Sequence, residues 1–130
     1  MDHKWLDRRI ASPGPLLTLC TTEDQFRKAL RQCGAPTDSA KFLRTPNAHA
    51  TVHWLEARRG ELACIVCLGD WSERSGIEIA GLLVHEAVHI WQRYVERIGE
   101  DRPGDEQEAY AIQSIAQELM AEFARQTEAA

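Results

Sequence analysis

No apolar run in the 130 residues reaches the roughly 20 positions that a membrane-spanning helix needs. The opening stretch Met1-Asp-His-Lys-Trp-Leu-Asp-Arg-Arg9 also lacks the apolar core of a secretory signal. Only four cysteines occur, Cys20, Cys33, Cys64 and Cys67, too few for a secreted disulfide scaffold. These absences lead us to expect a cytoplasmic protein with reduced thiols and no membrane partner. Repeats and low-complexity linkers are missing too, and the length suits one domain rather than two. Hydrophobic residues make up 44%, enough for a packed core and too many for a disordered chain.

A basic surplus is the next absence. The formal net charge is -5, and it is unevenly spread. Residues 1–60 carry ten Lys/Arg against six Asp/Glu, whereas residues 61–130 carry five against fourteen. A nucleic-acid binder needs a basic stripe to neutralise phosphates, so nucleic acid is not expected as a partner.

Signals for strand, helix and turn are present in order. Leu16-Leu-Thr-Leu-Cys20 is strand-like, and Thr22 with Gln25 has capping-box spacing ahead of Phe26, Ala29, Leu30 and Cys33 at helical intervals. Gly34 and Pro36 close that helix, giving a strand-helix unit over 15–34. Residues 35–47 read as a connection, with a short strand or turn at Lys41 to Arg44. Residues 50–68 read as a hairpin turning at Ala57-Arg-Arg-Gly60.

Ser75 and Glu78 open a long helix over 76–98, stopped by Gly99. Ile77, Ala80, Gly81, Val84, Val88, Trp91, Val95 and Ile98 form one apolar stripe along it. Ile79, Leu82, Leu83 and Ile90 fall elsewhere, so a helix buried on more than one side is expected. A third capping pattern, Asp105 with Glu108, opens a helix over 106–125, with Ile112, Ile115 and Leu119 sharing a face with Glu108.

Inside the long helix stands His85-Glu-Ala-Val-His89. Histidines at i and i+4 point the same way one turn apart, so their imidazoles can share one zinc ion. Glu86 lies beside that direction, placed to act as general base on a metal-bound water rather than to ligate. Three fixed identities in five positions arise by accident in about one chain of this length in a few hundred. A catalytic zinc needs a third protein ligand and an open position. Eighteen residues separate His89 from Glu108, whose position on the inward face makes it the candidate.

This pattern resembles the gluzincin group of zinc metallopeptidases, over about residues 61–125. The resemblance implies a minimal zincin-like α+β domain: a small, mostly antiparallel sheet, an N-terminal helix, a buried active-site helix and a C-terminal helix. It implies one Zn2+ held by His85, His89 and Glu108, with Glu86 as base and a peptide or protein as substrate. It further implies that Leu62 to Cys67 is an edge strand along which an extended substrate lies. Where some gluzincins carry an acid four residues after the glutamate ligand, this chain has Ile112, which leaves Asp105 and Glu118 as second-shell candidates. The run Glu108-Ala-Tyr-Ala-Ile-Gln113 is also similar to small metallopeptidases encoded in phages and prophages.

The oxyanion donor has three candidates, Tyr110, Tyr94 and His53. Cys64 and Cys67 have knuckle spacing, but a strand sends i and i+3 to opposite faces, so core positions are expected. Trp5, Trp54, Trp71 and Trp91 are expected as core or rim anchors. His49 and His53 are expected at the surface and are the next ligand candidates after Glu108. So short a chain has little left for cleft walls, which suggests a partner protein or a second copy completing them. The alternative to an enzyme is a non-catalytic, zinc-stabilised protein-binding domain.

Overall fold

The computed structural model describes residues 4–6, 16–57, 60–100 and 103–128. The expected signal-free start at Met1 to His3 and Asp7 to Arg9, Pro15, the turn residues Arg58 and Arg59, and Asp101 and Arg102 lie outside them. The elements are β1 (Leu16–Cys20), α1 (Glu23–Gln32), β2 (Ala50–Glu56), β3 (Leu62–Leu68), α2 (Gly76–Ile98) and α3 (Asp105–Glu128). A short 3-10 turn at Trp71–Glu73 precedes α2. This is the expected small α+β domain.

The sheet order is β1-β3-β2. β3 pairs in parallel with β1 over five registered positions and antiparallel with β2 over seven, so the longer ladder is antiparallel. Being central explains why β3 is a continuous apolar run with all seven residues buried. Alternation divides its side chains. Leu62, Cys64, Val66 and Leu68 pack with Leu17, Leu19 and the α2 and α3 residues Leu83, Ile90, Ile115 and Leu119. Ile65 and Cys67 face the other way, onto Cys20 and onto Phe26, Ala29 and Leu30 of α1. The domain is therefore layered, with α1 on one sheet face and the α2-α3 pair on the other.

Cys64 and Cys67 accordingly enter opposite cores, and all four cysteines are buried with no disulfide among them. Burial pushes the Cys64 thiol up to about 12, against a smaller opposing effect of Arg93. It also raises Cys67, which shares a hydrogen bond with Cys20. Thiolate is the reactive form, so the folded chain is expected to resist a thiol reagent at pH 8 and to react at all four cysteines once unfolded. Rapid labelling of Cys64 in the folded chain would contradict this packing.

The caps explain the element boundaries. Ser75 Oγ accepts from Glu78 N at 3.1 Å and the Glu78 carboxylate accepts from Ser75 N, a reciprocal box that starts α2 at Gly76. Ser75→Ala should cost about 1 kcal/mol in chemical denaturation. Gly99, at φ 77, ends the helix in a conformation that a side chain would strain. Thr22 caps α1 by accepting from Gln25 N. The third box does not form: Glu108 N donates to Gly104 O, α3 starts at Asp105 itself, and the Glu108 carboxylate is left for another partner.

The buried side of α2 is not the expected stripe. Ile79, Leu83, Glu86, Ala87, Ile90, Trp91 and Tyr94 are buried, while Ile77 is 86% exposed and Val84 and Ile98 are also exposed. The helix is apolar nearly all round, so periodicity offers several stripes. The sheet covers one side of it and α3 another, and a third side stays open. His85 and His89 stand on that open side. No helix among the described residues is long and apolar enough to cross a membrane.

Candidate functional site

His85 and His89 are brought together by one turn of α2. Their rings lie 4.7 Å apart between centroids, and their Nε2 atoms are 3.1 Å apart. Glu86, next on the helix and 7% exposed, shares a cavity of about 460 Å³ with both. The opposite wall comes from Arg44, Thr45, Ala48, Ala50, Val52 and Trp54. A second cavity of about 490 Å³ adjoins it, sharing Ala48, Ala50, His85 and Glu86 and extending to His49, Arg74 and Glu78. The two make a trough along the open side of α2, with the histidine pair on its floor. Burial raises the Glu86 carboxyl above the ordinary glutamate range, opposed by the charges of His85, His89 and Arg44.

The strand beside this trough is β2, which corrects the expectation for Leu62 to Cys67. β3 is paired on both sides, so it offers no edge. Gly69 N donates to His49 O, and Ala57 N donates to Glu61 O, which fixes the hydrogen-bonded pairs of the β2-β3 ladder. By alternation Thr51, His53 and Leu55 spend their backbone groups on β3, while those of Ala50, Val52 and Trp54 point away from it. All three line the trough, as does Thr51 between them. Among the described residues β2 has no second strand neighbour.

Glu108 is not at the pair. Its Oε2 accepts from Trp91 Nε1 at 3.0 Å. Trp91, two residues after His89, lies about 160° around the helix from it. The displacement follows from helix length. α2 runs nine residues past His89, about 14 Å, and α3 has returned only three residues, about 5 Å, by Glu108. Spacing in sequence alone therefore misplaces this carboxylate. Among the described residues, no group of three or more His, Cys, Asp or Glu side chains is arranged to hold a metal ion.

The other candidates separate in the same way. His53 faces α1: its Nε2 donates to Phe42 O at 3.0 Å, its ring lies 4.5 Å from that of Phe26, and burial lowers its pKa. Tyr94 is buried against Trp91, and Tyr110 is 65% exposed on α3, so neither lines the trough. Asp105 and Glu118, on α3, also line neither cavity. His49 does line the trough, but its Nδ1 faces Arg74 Nη2. Arginine only donates, so His49 Nδ1 accepts from Arg74, and that nitrogen is occupied by the contact.

Two imidazoles thus converge, and the residues expected to complete a metal site with them do not join them. Arg44 and Arg93 are the residues that sequence reasoning missed at this cavity. Arg93 was legible in principle, one turn beyond His89 in the series 85, 89, 93, whereas Arg44 arrives from an irregular connection. Compared with protein-family models, curated proteins and solved structures, the chain matches none.

Proposed function

We propose that the protein is a zinc-dependent metallopeptidase acting on peptide or protein substrates, with His85 and His89 as two of the zinc ligands and Glu86 as general base. The observation that carries this is the convergence of two imidazole nitrogens at 3.1 Å beside a buried carboxylate, on the floor of a trough that borders the free side of β2. Bound zinc would supply Lewis-acid polarisation of the scissile carbonyl and acidify water. Glu86 takes the proton from the attacking water and returns it to the leaving amine. The outward N–H and C=O groups of Val52 and Trp54 hold an extended substrate by strand addition, which aligns its backbone with the pair.

Uncrosslinked, buried thiols support a reducing, cytoplasmic setting. A partner protein or second copy completing the open side of the trough belongs to this proposal, and Ile77 and Val84 of the same helix are exposed apolar residues.

The second reading is a non-catalytic zinc-stabilised binding domain, favoured by the engagement of Glu108 with Trp91. The retained Glu86 favours the enzyme, because a structural site has no use for a base beside the metal. Metal analysis after zinc reconstitution tests the proposal: about one zinc per chain is expected, and none would overturn it. Glu108→Ala and His49→Ala should both leave zinc stoichiometry unchanged if the ligation stands as the side chains are seen. Loss of zinc on Glu108→Ala would instead mean that this carboxylate leaves Trp91 to ligate.

A further inference from the structure

We propose that Arg44 and Arg93 form a carboxylate-binding subsite in the cavity beside the histidine pair, so that the preferred ligand is a peptide bearing an acidic side chain or a free C-terminus. That such a peptide is also cleaved rests on the peptidase proposal. The binding site stands on the two guanidinium groups themselves.

Both arginines line the 460 Å³ cavity, from opposite walls. Arg93 sits on α2 one turn beyond His89, a rise of about 6 Å, or roughly two residues of an extended peptide. Its guanidinium carbon lies 5.7 Å from the Trp54 ring centroid. Stacking against an aromatic face leaves the N–H edge of a guanidinium free to donate, the geometry that a carboxylate accepts in bidentate fashion. Arg44 is held by its backbone, whose N–H donates to Thr51 Oγ1 at 3.0 Å, and Thr51 is buried in β2. Neither arginine has an ion pair with Asp or Glu among the described residues, although the chain carries an acidic excess. Elsewhere among the described residues Arg27, Arg74, Arg97 and Arg125 are each paired, and of the arginines without an ion pair only Arg31, on α1, lies away from this cavity.

Two unpaired guanidinium groups facing one cavity match a single acceptor with two oxygens. Glu86 and Glu96 line the same cavity, so its charge is mixed. The selectivity therefore comes from donor geometry more than from a field, which predicts recognition of a carboxylate over an isosteric amide.

The test is calorimetric titration of the Glu86→Gln chain, metal-free and zinc-loaded, with three blocked peptides. Acetyl-Ala-Glu-Ala-amide carries a side-chain carboxylate, acetyl-Ala-Gln-Ala-amide is its neutral isostere, and acetyl-Ala-Ala-Ala as the free acid carries only the terminal one. At least one acid is expected to bind about tenfold more tightly than the glutamine peptide. The tighter of the two acids identifies the source of the carboxylate. Arg44→Gln and Arg93→Gln should each remove most of that preference while leaving the melting curve near that of the parent. Equal affinity for all three peptides, no binding of any of them, or a preference that survives the double variant would overturn the subsite. A carboxylate preference in the metal-free chain, together with failure to bind zinc, would sink the peptidase proposal and leave the subsite standing. The converse result would do the opposite.

Discussion

Glu86→Gln is expected to retain zinc and to lower peptide hydrolysis by at least about 10³-fold, within the range that general-base catalysis supplies. The substitution is isosteric and removes only the ability to take a proton. The structure explains why folding should tolerate it. Glu86 is 7% exposed, yet the one buried side-chain N or O atom without a partner among the described residues is Arg74 Nε, so the Glu86 oxygens are not sealed in the core. They open onto the cavity that holds the histidine pair. An amide there keeps the shape and meets the same space. His85→Ala and His89→Ala are expected to lose zinc and hydrolysis together, because each removes one of two converging nitrogens. Zinc stoichiometry and turnover measured on the same preparations separate the roles. Hydrolysis by Glu86→Gln at the parent rate would remove Glu86 as base.

The second large effect concerns stability, far from the trough. Glu122 is 1% exposed on α3, and removing its partner with Arg125→Ala should cost about 2–3 kcal/mol. That is below the full cost of orphaning a buried charge, since Arg125 is itself half exposed. Arg125 Nε donates to Glu122 Oε1 at 2.8 Å, and Gln126 Nε2 donates to Oε2 at 2.9 Å. Lys4 Nζ stands 3.7 Å away. Gln126 Nε2 also donates to Leu19 O at 3.0 Å, and Gln126 Oε1 accepts from Thr21 at 2.7 Å. The carboxylate therefore anchors the end of α3 to the end of β1.

Its titration gives the sign of the pH dependence. Burial acts to raise the Glu122 carboxyl, but the donors and charges of Arg125, Gln126 and Lys4 outweigh it, and the net direction is down. A carboxyl held lower in the folded than in the unfolded chain stabilises fully above the unfolded value, about 4.3. That contribution is lost as pH falls from there through the folded value. Urea midpoints of the parent should thus fall on acidification, and those of Glu122→Gln should fall less. Parallel pH profiles would show that this group does not govern acid stability.

How much was legible in advance depended on whether the determining contacts were local. The ends of α2 were readable to the residue, because Ser75, Glu78 and Gly99 act through hydrogen bonds and backbone angles within one turn. Cys64 and Cys67 were placed correctly in opposite cores by strand alternation alone. The His85 and His89 convergence was readable for the same reason, being fixed by the pitch of one helix. The open face of α2 was not, since Ile77 and Leu83 are equally apolar and only the positions of the sheet and α3 choose between them.

What the sequence determined by itself, then, is the ends of α2, the alternation along β3 and the paired imidazoles with their neighbouring carboxylate, all set by chain geometry or contacts within four residues. Tertiary structure alone decided that β3 is central and β2 borders the trough, that Glu108 meets Trp91 rather than the histidines, and that Arg44 and Arg93 line one cavity. Those outcomes depend on where a helix of 23 residues ends and how its return packs. They are set by the global burial of apolar surface, which no local pattern encodes.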